Sequence, residues 1–409
     1  MADKEKIVIW GTGNIARQFY YREGYKYDIQ YFIDNHKPKY RINYIPVYYP
    51  DEVNLKNNKI IIAIADWYEV AGQLEKMGLT FHKDYLPSEL LHKNEIPIMD
   101  ILERMTDKED IEKAISDYQR GRKVALINGN CQTTRIRMYL QQNREFNKEY
   151  VFLDIPALYM LSADKVDLLM KDDFILRKIE LFISQNISAG NAFDYRLSNE
   201  YLIGRMNENV TYIRISNLFF DIYFPQGGKE QDPARDDYIR DIFPYDDAVI
   251  DELVTKAGFD GNGYTAEEIV EIICMENLFT ADFLEWVVRY RIEQLREREA
   301  LCDVKMLDYI ENNWLKEQLF YSRNHPVNKL LKEESVRILK AINSGWKETK
   351  IDHEETIPPL AINQEFMYPA FFDRLKPDFT KEWYSDTISE CRYTLEEEVR
   401  KYLFCCHNR

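Results

Sequence analysis

Asn128-Gly-Asn-Cys-Gln132 places a thiol where thiol chemistry is feasible. The apolar run Lys123–Asn128 predicts a strand and Gln132–Gln142 a helix, so Gly129-Asn130-Cys131 is a tight turn between them. Gly129 and Asn130 both tolerate unusual backbone angles. Cys131 then falls in the first turn of the helix, where the dipole and unpaired N–H groups favour thiolate and can hold an oxyanion. Arg135, four residues on, shares that helical face and could steady the thiolate or a ligand phosphate. Arg137 points elsewhere by the same spacing. A small buried cysteine packing at a turn is the competing reading.

A second constellation lies near the start. Gly11-x-Gly13-x-x-Ala16 follows the apolar run Lys6–Trp10 and opens a helix-like stretch reaching Tyr21. Two glycines let the backbone approach a phosphate, and the helix end supplies N–H donors. Asp34 ends a second strand, Ile29–Ile33, 21 residues after Gly13, where an acid can accept ribose hydroxyls. A dinucleotide such as NAD is the ligand class this pattern admits, and a Rossmann-like fold without a ligand is the alternative. No hydride-transfer residue accompanies it, which weakens a dehydrogenase reading.

These residues need parallel sheets to carry them. A third strand, Lys59–Ala65, and a helix around Tyr68–Met77 complete a Rossmann-like unit over residues 1–95. Residues 96–121 read as one charged connecting helix with a solvated face. The alternation restarts at Lys123 and continues through Phe152–Pro156, Leu181–Ser184 and Thr211–Ile215. Beyond residue 235 the chain reads as almost entirely helical, with a long stretch over Thr280–Asn313. The expected fold is α/β, with a larger second domain, residues 122–409, ending in a helical extension.

Composition narrows the function. The net charge of −16 repels a phosphate backbone and argues against nucleic acid. Six cysteines without a CxxC pair resemble reduced cytosolic thiols. With no signal-peptide core and no apolar run of membrane-spanning length, the expected location is the cytoplasm. Homo-oligomerisation is left open. His36, His82, His92, His353 and His407 lack ligand-like spacing, and no metal is expected from Glu89-x-x-His92 or from Cys405-Cys406-His407.

Gly129-Asn-Cys-Gln132 after an apolar strand resembles the opening motif of the WcbI-like polysaccharide-biosynthesis proteins. Ile183-Ser-Gln-Asn186, Ile215-Ser-Asn217 and Leu319-Phe-Tyr-Ser-Arg-Asn-His-Pro326 follow in that family's order, over roughly residues 122–340. The resemblance implies a variant of the SGNH-hydrolase fold, a part in capsular-polysaccharide assembly, and binding of coenzyme A or acetyl-CoA. It puts Cys131 in the place of the SGNH serine, Asn186 in that of the oxyanion donor, and His325 in that of the base. Gly129, Asn130, Gln132, Arg135, Ser184, Gln185 and Asn324 would surround the cofactor. SGNH enzymes carry Asp three residues before the histidine, and here that position is Ser322; no Asp-x-x-His occurs anywhere. The resemblance makes acyl transfer from a small-molecule donor to a sugar or glycan acceptor the leading expectation. A thiol-based glycan esterase and a non-catalytic coenzyme A or nucleotide-sugar binding protein are the alternatives. The words WGTGNIARQFY, YFIDNH and IPVYYPDEV resemble the N-terminal domain of bacterial sugar acetyltransferases of the sialic-acid and bacillosamine type, which implies a nucleotide or nucleotide-sugar ligand for this unit. The glycine-rich stretch expected after the acid is replaced by HKPKYRINYIPV.

Overall fold

The computed structural model describes residues 4–226, 264–346 and 364–380, with gaps at 37–40, 57, 92–93, 172, 191–193 and 276–277, and isolated positions elsewhere. His92, His353 and the Cys405-Cys406-His407 tail lie outside the described residues.

The first sheet contains β1 (Lys6–Trp10), β2 (Asp28–Ile33), β3 (Arg41–Ile42), β4 (Ile45–Tyr48), β5 (Lys59–Ile62) and β6 (Tyr85–Pro87), in the order β3-β4-β2-β1-β5-β6. All neighbours run parallel except the β3–β4 pair. Helices α1 (Asn14–Glu23) and α2 (Trp67–Lys76) make the crossovers. Ile7 and Ile9 face one apolar layer with Ala16 and Phe19 of α1, while Val8 and Trp10 face the layer of α2. Coverage of both faces explains why these strands read as continuous apolar runs.

Residues 96–121 form two helices rather than one, α3 (Ile98–Arg104) and α4 (Lys108–Gln119). The break falls at Asp107, whose side chain caps α4 by accepting from the N–H groups of Glu109 and Asp110. Nor is this stretch merely a solvated connector. Ile98, Ile101, Ile111, Ile115 and Tyr118 join one apolar cluster that continues from Val8 and Trp67 of the first unit to Val124 and Leu126 of the second sheet. Charges on the outer face mask a helical apolar stripe on the inner one.

The second sheet is fully parallel: β7 (Glu95–Ile96), β8 (Lys123–Asn128), β9 (Tyr150–Leu153), β10 (Ile179–Gln185) and β11 (Thr211–Ile215), ordered β11-β10-β8-β9-β7. Helix α5 (Cys131–Gln141) follows β8. The long helical stretch expected over Thr280–Asn313 is two helices, Ala281–Glu299 and Leu307–Asn313. With the helix Asn328–Ile342 and a hairpin of β12 (Phe320–Ser322) and β13 (His325–Pro326), they bury the sheet's other face around Ala125, Ile127, Ile183 and Ile215. The chain is thus mixed α/β with two parallel sheets. Among the described residues no helix is long and apolar enough to cross a membrane.

Candidate functional site

Because β8, β10 and β11 are parallel, their carboxyl ends meet at one edge, where ligands of open α/β sheets bind. Asn128 ends β8, Gln185 ends β10, and Ser216-Asn217 follow β11. Helix α5 starts at this edge with Cys131 as its first residue and Asn130 as its N-cap, the Asn130 Oδ1 accepting from Gln132 N–H at 3.0 Å. Asn130 is extended (φ −82°, ψ −165°), and Gly129 is not among the positive-φ glycines. Glycine is needed at 129 for space rather than for an unusual angle. A Cβ there would lie 2.5 Å from Thr133 Cγ2 and 2.6 Å from Gln185 Oε1.

A network of neutral amides fixes this turn. Gln185 Oε1 accepts from Asn130 N–H at 3.0 Å, and Gln185 Nε2 donates to Asn130 Oδ1 at 3.2 Å and Gln132 Oε1 at 3.3 Å. Gln132 is fully buried. Its Nε2 reaches Asn324 O at 2.8 Å, Leu218 O at 2.9 Å and Asn217 Oδ1 at 3.3 Å, while its Oε1 accepts from Leu218 N–H at 3.1 Å. One side chain thus joins the cysteine turn, β10, the segment after β11 and the His325 hairpin. Asn217 also accepts from Asn130 Nδ2 at 3.1 Å. Asn217 belongs to a family word, yet its amide role is not visible in the sequence.

The other expected residues divide by position. Ser184 is fully buried and its hydroxyl donates to Asn199 Oδ1 at 2.6 Å, so it braces β10 from behind. Asn186, one residue past the strand, is exposed. Asn324 contributes its carbonyl to Gln132, which draws the hairpin to the cysteine turn. His325, half-buried, pairs across that hairpin with Ser322, the residue at the position of the missing aspartate. On the hairpin's far side Glu365 accepts from Arg323 N–H at 2.7 Å and pairs with its guanidinium.

The electrostatics correct one expectation. Burial raises the Cys131 thiol above its ordinary value, outweighing its own N–H, the Arg135 charge and the Gln132 N–H, which all act the other way. The helix-end contributions exist, but desolvation is larger, so the resting group is a neutral thiol. Arg135 is half-buried beside it, with its Nε sealed from solvent and unpartnered. Its Nη1 lies 3.6 Å from Met138 Sδ, and it has no carboxylate partner among the described residues. Arg137 points away, as expected, and pairs with Asp154 at 3.1 Å. Tyr159 stands close enough to Cys131 and Arg135 for both to act on its phenol. One Tyr among 29 offers no signal for that placement in the sequence.

In the first sheet Gly11 does require glycine, at φ +119° with a Cβ position 2.7 Å from Ala63 O. Gly13 caps α1 with open space before it. The Asp34 carboxylate holds Thr12 Oγ1 at 2.5 Å and His36 N–H at 2.8 Å, binding the turn to the end of β2 and occupying two acceptor positions that a ribose would use. A cleft of about 360 Å³ opens alongside, lined by Ile15, Gln18, Ile64 and Ser88 among others.

A thiol at the carboxyl edge of a parallel sheet, opening a helix and clamped by amides to a histidine-bearing hairpin, defines an α/β protein with an enzyme-like thiol site. The family described as polysaccharide biosynthesis enzyme WcbI matches residues 124–345, more than half of the chain, and the chain belongs to that family. A solved structure of WcbI, described as a native protein without a disulfide bond between coenzyme A and one of its cysteines, aligns with a TM-score of 0.56 at 19% identity. It covers 68% of this chain and 90% of its own. At that identity the likeness concerns the fold. No curated protein sequence matches the chain.

Proposed function

We propose that the chain is an acyltransferase that uses coenzyme A as acyl carrier and a sugar or glycan precursor as acceptor. The observation that carries this is Arg135, a guanidinium one helical turn from Cys131 with a buried, orphaned Nε and, among the described residues, no carboxylate to neutralise it. Buried polar atoms are normally hydrogen-bonded, so such an atom beside a thiol suits an anionic ligand. The structure of a WcbI protein described with reference to coenzyme A supports the same ligand class here. Bound acetyl-CoA supplies an acyl group activated as a thioester. Arg135 and the positive dipole end of α5 hold phosphate or oxyanion charge. Cys131 stands in the place of the nucleophile, or positions the thioester, and His325 accepts the acceptor's proton. Asn186, exposed at the end of β10, is the proposed oxyanion donor. The N-terminal unit's part in this reading is a nucleotide-sugar at the Gly13 end of α1.

Calorimetric titration of the whole chain with coenzyme A tests the reading, with acetyl transfer to sugar acceptors followed by mass spectrometry. Wild-type binding that disappears in Arg135→Ala supports it. No binding of coenzyme A or acetyl-CoA to the wild-type chain removes the donor and ends the proposal.

A further inference from the structure

Beside the amide network, one short segment presents apolar surface to solvent at the thiol. The 3-10 turn Leu158–Met160 follows β9 at the same sheet edge. Leu158 N–H donates to Gly129 O at 3.0 Å, and Met160 N–H to Ala157 O at 2.8 Å, so the turn is closed and tied to the cysteine loop. Leu158 anchors it from below, packing with Val166, Ile187 and Leu197. The next two side chains point outward: Tyr159 is 53% exposed and Met160 61%. A large aromatic and a thioether left in water on a fixed turn forgo burial worth about 25 cal/mol per Å². Here they sit on a turn bonded to the loop that carries Cys131, and Arg135 on the following helix lacks a carboxylate partner among the described residues. The Leu158 bond to Gly129, two residues before Cys131, places the turn beside the start of the helix that carries both Cys131 and Arg135.

We infer that Tyr159, with Arg135, forms the recognition wall of the Cys131 site and selects ligands that join an anionic group to a planar or apolar segment. The ring covers the ligand's flat or hydrocarbon part while the guanidinium takes its charge. Phosphorylated nucleotide-like and acyl-carrier molecules belong to this class; neutral alkyl thiol reagents do not. The inference deepens the proposed function and rests on its view of Cys131 and Arg135 as facing one ligand. Tyr159 is a binding residue in it.

The test uses the full chain and two thiol reagents: the anionic aromatic disulfide 5,5′-dithiobis(2-nitrobenzoate) and neutral methyl methanethiosulfonate. Each forms a mixed disulfide at Cys131, the thiolate displacing the reagent's leaving group as thiolate or sulfinate. Mass spectrometry of the Cys131 peptide separates this reaction from that of the other five cysteines. The measured quantity is the ratio of the two rates, which cancels changes in thiol ionisation. Tyr159→Ala and Arg135→Leu should each lower the ratio roughly tenfold, within the range of aromatic stacking. Tyr159→Phe should stay within about twofold of wild type. A ratio unchanged in Tyr159→Ala, in a variant with wild-type circular dichroism and melting temperature, overturns the inference. Coenzyme A titration of the same variants separates the two claims. If the wild type fails to bind coenzyme A while the ratio falls as stated, the coenzyme reading fails and the wall stands. Binding with an unchanged ratio does the reverse.

Discussion

Replacing Gln132 by Met tests whether one buried amide holds the site together. Met has nearly the same length and fills the space, but it neither donates nor accepts comparably. The hydrogen bonds that Gln132 donates to Asn324 O and Leu218 O, at 2.8 and 2.9 Å, and accepts from Leu218 N–H, at 3.1 Å, are its shortest to distant segments, and Met makes none of them. Each such bond contributes about 1 kcal/mol net, and a buried partner left unpaired costs about 1–3 kcal/mol. The expected destabilisation is therefore about 3–5 kcal/mol, concentrated in the segment after β11 and in the hairpin. With two sheets the chain need not unfold in one step, so a single unfolding energy is a poor readout. Native-state hydrogen exchange is better, because the Leu218 amide should lose protection while β1 and β5 keep theirs. Turnover should fall as well, since Gln132 ties Asn324, and with it His325, to the cysteine turn. A Gln132→Met chain with wild-type protection at Leu218 and full turnover would refute the clamp.

Two further predictions concern the space at Gly129 and a buried carboxyl on the helix Asn328–Ile342. Gly129→Ala forces a Cβ to within 2.6 Å of both Thr133 and Gln185 and should cost about 1–3 kcal/mol by overpacking; Thr133→Ser, which removes the nearer methyl, should recover part of the lowered melting temperature, and an unchanged melting temperature in Gly129→Ala would refute the close approach. Glu334 is fully buried with both carboxyl oxygens unpartnered, and burial, with Glu299 adding and Arg337 opposing, holds its carboxyl well above the usual range. The folded chain then retains a proton that the unfolded chain loses above about pH 4, so stability falls as pH rises toward the folded value. Glu334→Leu should stabilise the chain by roughly 1–3 kcal/mol near neutrality and flatten that decline. Melting temperatures at pH 5 and pH 8 check this, and a larger gain at pH 5 would contradict the sign.

The strands are legible in the sequence because both faces of a parallel sheet are buried, so Lys6–Trp10, Lys123–Asn128 and Leu181–Ser184 stand out as apolar runs. The cysteine turn is legible because Gly129 and Asn130 punctuate it, although glycine is there for closeness rather than for angle. The stretch 96–121 reads wrongly as a single solvated helix because its charges dominate the composition while its apolar residues recur at helical spacing and are buried. Partners across the chain are out of reach. That Gln132 bonds to Asn324, 192 residues away, follows from strand order, and strand order is not written in local spacing. The thiol's environment escapes the sequence for a related reason: helix position can be counted along the chain, but burial cannot, and burial decides the sign.

Those two facts together constrain how the thiol can act. The groups that position Cys131 are amides, Asn130, Gln132, Gln185 and Asn217, and they carry no charge. Among the groups acting on the thiol, Arg135 supplies the one ionic influence favouring the thiolate, and burial outweighs it. An anionic ligand held by Arg135 would spend that influence on itself and raise the thiol further, so ligand phosphate and thiolate compete for one guanidinium. A permanently ionised Cys131 is therefore a poor fit to a loaded site. Under the proposed function its proton leaves to a base after the ligand is seated, and the base proposed for that step is His325, whose cross-strand neighbour is the buried Ser322. In that proposal His325 would pass the proton on to the departing thiolate rather than hold it.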